Sequence, residues 1–135
     1  MVRESHGTHT IKTAGKVLIV DVSGPFNEES VKEYQTDLES FVERLSSTPW
    51  ALCGIFRNQG LLTPDAEASL IEVTRWRKER GMAVISVVLK DVKEPTILKA
   101  QMNRIYSVAD IQCGYFDKMS DALSWLTEKG YPSYS

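Results

Sequence analysis

From Val17 onward the chain alternates between two hydrophobic periods. Short runs that are apolar at nearly every position, at 17–22, 51–56, 83–89 and 111–116, read as strands. The stretches that follow them carry apolar residues at spacings of three and four, as helices do. A strand with apolar residues on both faces belongs inside a covered, mostly parallel sheet. Residues 8–13 alternate only weakly and read as an edge strand. Ala14-Gly15-Lys16 is a short turn, so this strand and the next are predicted to form a hairpin.

Helix boundaries are legible from capping chemistry. Asn27, followed by Glu28 and Glu29, predicts a helix start. Val31, Tyr34, Leu38, Phe41, Val42 and Leu45 then mark its apolar face to about Ser46. Thr63-Pro64-Asp65 combines a hydroxyl cap, proline at the first helical position and an acid in the first turn. The second helix should run to about Arg80, with Ala66, Leu70, Val73 and either Ile71 or Thr74 facing the core and Gly81 ending it. Pro95 opens a third, with Leu98, Met102, Ile105 and Ala109 on one face. The last contains Ala122, Leu123, Trp125 and Leu126, is capped by Asp117 or Ser120, and stops at Gly130. The expected fold is α/β, a mixed, mostly parallel sheet of about five strands with about four helices packed on it. One domain is expected over 8–130, with an N-terminal arm, 1–7, and a C-terminal tail, 131–135.

Composition narrows the function classes. At 135 residues with 42% hydrophobic positions, the chain can build a core without disulfide or metal. A net charge of -2 gives no electrostatic pull toward nucleic acid or anionic lipid. Cys53 and Cys113 sit in apolar runs and read as buried thiols in a reducing compartment, a disulfide between neighbouring strands being the alternative. Without nearby histidines they make no zinc site. The polar N-terminus is no secretory signal, and no apolar run reaches the roughly 18 residues of a membrane span. The cytoplasm is the expected location.

Candidate chemistry is sparse. His6 and His9 both lie near the N-terminus, and a nucleophile–histidine site would need one of them to fold back over the sheet. Gly24 and Gly60 are single glycines in their loops and do not make a nucleotide fingerprint. Asp21 and Asp91 lack the paired acids of a phosphoacceptor domain. Glu28, Glu29, Asp37, Glu39 and Glu43 read as a solvated helix face, and Arg75, Arg77, Lys78 and Arg80 as another. Trp50, Trp76 and Trp125 read as core or rim residues, Trp76 being an interface candidate because charges surround it. No catalytic residue, metal or cofactor is expected.

Three stretches carry a family resemblance. Residues 15–26, running Gly-Lys-Val-Leu-Ile-Val-Asp-Val-Ser-Gly-Pro-Phe, are similar to the opening strand of the SpoIIAA-like family and the glycine before its first helix. Residues 81–86 are similar to the strand after its second helix. Tyr115-Phe116-Asp117 with residues 122–126 resembles its closing strand and last helix. With the spacing between them, the resemblance spans about 8–130. That family is related to STAS domains, the fold of bacterial anti-sigma factor antagonists, and to Sec14 (CRAL-TRIO) domains. The resemblance implies a non-enzymatic regulatory or ligand-binding domain that recognises a partner protein or a small apolar ligand. In the antagonists a serine at the start of the second helix is phosphorylated, and the added charge blocks binding. Thr63 stands at that place, followed by Pro64-Asp65 rather than the family's acid, serines and glycine.

Two candidate surfaces follow. Thr63, Ser23, Gly24 and Asn58 form the candidate switch and partner site, at the C-terminal ends of strands. Phe26, Leu61, Leu62, Leu98, Met102, Ile105 and Tyr106 form the candidate apolar-ligand site, which a Sec14-like lipid carrier would use. A small enzyme is the third reading. The pattern leaves a homodimer open.

Overall fold

The computed structural model describes residues 8–24, 27–58 and 60–133. Its element order is β1 (Thr8–Ala14), β2 (Val17–Ser23), α1 (Glu28–Leu45), β3 (Trp50–Arg57), α2 (Pro64–Glu79), β4 (Met82–Lys90), α3 (Pro95–Val108), β5 (Gln112–Phe116) and α4 (Met119–Glu128). The sheet has five strands in the order β1-β2-β3-β4-β5. β1 pairs antiparallel with β2, and every later pair is parallel. This is the mixed, mostly parallel α/β sheet expected from the alternation, in the STAS-like arrangement that the resemblance implies. The hairpin turn is two residues long, because Ala14 pairs with Val17. Gly15 sits at φ 62, a left-handed conformation that glycine adopts without steric cost.

Strand order decides where the helices go. From β2 to β5 each strand lies beside its predecessor in the same direction, so right-handed crossovers place α1, α2 and α3 on one face. α4 follows the last strand, has no crossover to make, and packs on the opposite face. The alternation along each strand divides the core accordingly. Leu18, Val20, Leu52 and Ile85 pack toward the three helices, with Leu38, Val42, Leu98 and Met102 among their partners. Val17, Ile19, Cys53, Ile55 and Val88 face α4 and pack with Ala122 and Leu126. Trp50 is fully buried, and its Nε1 donates to the Arg80 carbonyl oxygen at 2.9 Å, tying β3 to the end of α2. Gly81 follows at φ +103, with the Trp50 ring so close that a Cβ would lie 3.2 Å from it.

Capping chemistry at α1 and α2 is as the residues predict. Asn27 Oδ1 accepts from the Ser30 N–H at 2.9 Å, and Thr63 Oγ1 accepts from the Ala66 N–H at 3.1 Å. α4 departs from expectation: Lys118 occupies its cap and makes no side-chain cap bond, so neither Asp117 nor Ser120 has that role. A second departure concerns the basic end of α2. Arg77 is only 3% exposed, and its Nε and Nη2 both donate to Gln35 Oε1 of α1, at 3.0 and 2.9 Å. Its guanidinium also lies 4.9 Å from the centre of the Tyr34 ring. One of the four basic residues read as a solvated face is therefore a buried link between helices. Cys53 is buried, Cys113 is half-buried, and both are free thiols.

Candidate functional site

The C-terminal ends of β2 and β3 bring together three of the four residues of the candidate switch and partner site. Ser23 ends β2, and the Gly24 N–H donates to the Arg57 carbonyl oxygen at 2.9 Å. Asn58 follows β3 at φ 50, with its N–H donating to the Lys90 carbonyl oxygen at 3.1 Å. Asn58 Nδ2 reaches Ser23 Oγ at 3.5 Å, the long limit of a hydrogen bond. Asp91 leaves β4 in the same left-handed way, at φ 52. Asparagine and aspartate are the non-glycine residues that visit this region most readily, so the strands can turn sharply at the rim. Ser23 and Gly24 are half-buried, whereas Asn58 and Thr63 are exposed.

Thr63 stands at the same end of the sheet, as the cap of α2. The loop before it is pinned by a residue that the sequence did not single out. Gln101 of α3 accepts from the Leu62 N–H at 2.9 Å and donates to the Leu62 carbonyl oxygen at 3.1 Å. This two-way clamp drives Leu62 into the core, 5% exposed, and leaves Leu61 outward, 44% exposed. Arg104 donates to Glu67 beside it, holding α2 against α3. Gln101 lies three residues after Leu98 on α3, a helix-flank position that faces a neighbouring element, but only the packing of α3 on α2 says which one.

The candidate apolar-ligand residues separate. Leu98, Met102 and Ile105 are at most 1% exposed and Tyr106 is 7% exposed, all packed in the helix-side core with Leu62. Burial pushes the Tyr106 hydroxyl well above its usual pKa, with the nearby Cys113 thiol adding to the rise. Leu61 alone of the described members faces outward, and Phe26 lies outside the described residues, as does His6.

A polar groove runs down the α4 side from the rim. Arg57 grips Asp21 with two bonds, Nε to Oδ1 at 2.9 Å and Nη2 to Oδ2 at 3.1 Å. The carboxylate raises the pKa of the guanidinium further. His9, Thr10, Asp21, Ser23 and Arg57 line a shallow groove of about 270 Å³. It adjoins a recess of about 130 Å³ where Lys12, Ile19, Ile55 and Met119 meet Thr10 and Asp21. His9 itself turns to the helix side, where Nε2 lies 2.7 Å from Asp37 Oδ2 and the ring meets Tyr34 edge-on at 6.0 Å. Its spacing of two from Ile11 along β1 is the signal that places it on that face.

The thiols are chemically quiet. Burial pushes Cys113 up to about 12 and raises Cys53 as well, the Ser86 hydroxyl offsetting part of the latter rise. Burial also raises the Tyr115 hydroxyl, which donates to Asn103 Oδ1 at 2.7 Å. Among the described residues no group of three or more His, Cys, Asp or Glu is placed to hold a metal ion. None of their helices is long and apolar enough to cross a membrane.

No protein-family model matches the chain, and no curated protein matches it. Geometry and chemistry therefore carry the functional reading.

Proposed function

We propose that this is a non-enzymatic regulatory domain of the anti-sigma factor antagonist type, which recognises a partner protein through the rim formed by Ser23, Gly24, Asn58, Leu61 and Thr63. The observation that carries this reading is the exposed Leu61, held outward by the Gln101 clamp between Asn58 and the Thr63 cap. An apolar side chain held among polar groups supplies the arrangement of a protein contact, an apolar centre within a polar rim. Strand order adds support. Ligand crevices in open α/β sheets form where the order reverses and helices diverge to opposite faces. Here the order from β2 to β5 never reverses, which favours a broad, shallow contact. A partner protein is preferred to an apolar ligand because Leu98, Met102 and Ile105 already pack in the core.

Thr63 is the modifiable hydroxyl of this surface. A phosphate there would add roughly two negative charges beside Leu61 while still accepting from the α2 N-terminus, so the helix would survive and the contact would not. The test is affinity capture from the source cytoplasm with wild type, Leu61→Glu, Thr63→Glu and Thr63→Ser. A protein retained by wild type and Thr63→Ser, and lost from the other two, is the expected result. Equal retention by all four overturns the assignment of the rim. Native mass spectrometry of the purified chain tests the choice of partner class, because a stoichiometric co-purifying lipid would favour the carrier.

A further inference from the structure

β5 ends the sheet with an edge that lacks the usual guards. Among the described residues no strand pairs with its outer side. Natural edge strands are blunted by lysine, proline, inward charge or a bulge, because an open ladder recruits another strand. β1, the other edge, carries His9 and Lys12 among threonines, and His9 ties it to α1 through Asp37. β5 reads Gln-Cys-Gly-Tyr-Phe, with no charge and no proline, and pairs with β4 in unbroken register. Gln112 is exposed and the four residues after it are half-exposed. Val108, 47% exposed, adds apolar surface just before the strand.

We propose that β5 pairs antiparallel with β5 of a second copy of this chain, about a twofold axis at Gly114, so that the two sheets become continuous. The symmetry favours a second copy as the occupant. An isologous pairing uses up both open edges at once and closes, whereas parallel addition leaves an edge free to propagate. The register follows from charge. With Gly114 on the axis, Gln112 faces Phe116 of the second copy and Cys113 faces its Tyr115, and the charges that select this register lie just beyond the strand. At each end Lys118, exposed at the cap of α4, comes toward Asp110 of the other copy. The Asp110 side chain is 97% exposed, and its contact with Lys78 is a loose 3.4 Å, so it can accept this second cation. β5 is separated from β3 by β4, so this surface is distinct from the rim and leaves it open.

Light scattering on sized fractions, over a range of protein concentrations, reads the assembly. Amide exchange reads where it forms. The expected result is a dimer whose residues 112–116 gain protection as concentration rises. Gln112→Lys places a charge on the exposed start of the edge, away from the core, and should leave a monomer with an unchanged circular-dichroism spectrum. Lys118→Glu suits a helix N-terminus, so the fold should tolerate it, but it sets like charges at both ends and should weaken the dimer by about tenfold. A monomer at every concentration overturns the proposal. So does a dimer that Gln112→Lys leaves intact, or one whose residues 112–116 exchange as fast as in the Gln112→Lys monomer.

Discussion

Arg77 offers the sharpest test of how α1 and α2 are held in register. It is a buried cation whose acceptor is the neutral Gln35 side chain, itself 7% exposed. Gln35→Leu removes the oxygen that takes two charge-assisted bonds and leaves a guanidinium short of acceptors, costing about 3 kcal/mol. Arg77→Met removes the charge and its contact with the Tyr34 ring, and orphans the Gln35 oxygen, costing about 2 kcal/mol. The double variant removes both partners together and replaces them with apolar side chains of similar volume. Such replacements are often neutral or stabilising, so the pair should cost no more than about 2 kcal/mol. A double-mutant cycle by urea unfolding should therefore give a coupling of about 3 kcal/mol, provided the denaturant slope is unchanged. Additive single effects, or singles below about 0.5 kcal/mol, would show that Arg77 reaches solvent and that the helices are registered by their apolar contacts alone.

Three further outcomes are expected. Leu98→Ala should destabilise the fold by about 3 kcal/mol in urea melts, because the side chain is fully buried between α3 and the sheet. Gly114→Ala should cost about 1–3 kcal/mol and shift near-ultraviolet circular dichroism, because its Cβ would lie 3.0 Å from both Phe116 and Trp125. Cys113, pushed up to about 12, should label with a thiol reagent at pH 8 about a thousandfold more slowly than a free cysteine. The same shift sets the sign of a pH effect. The folded state keeps this proton longer than the unfolded one, so its contribution is complete below the free thiol value of 9.0 and is lost as pH rises toward about 12. Urea midpoints measured across that window should fall, and a rise would contradict the burial of the thiol.

Much of the fold was legible because it rests on local chemistry. The two periods of apolar spacing specified β2 to β5 and the four helices, and the turn at Gly15 pointed to β1. Asn27 and Thr63 specified where α1 and α2 begin, and Gly81 where α2 ends, since caps and left-handed turns depend on a few adjacent residues. Ser23, Gly24 and Asn58 were legible as one place because parallel strands all end on the same side. Tertiary packing decided the remainder. Leu61 and Leu62 are identical neighbours in sequence, and only the Gln101 clamp from α3 sends one outward and the other into the core. Arg77 looks like its basic neighbours until α1 places Gln35 over it. Residue type and spacing determine which elements form. Which flank of a helix meets another element depends on contacts far apart in the chain, and that choice buried Arg77 and fixed the Thr63 loop, while strand order left β5 at the open edge.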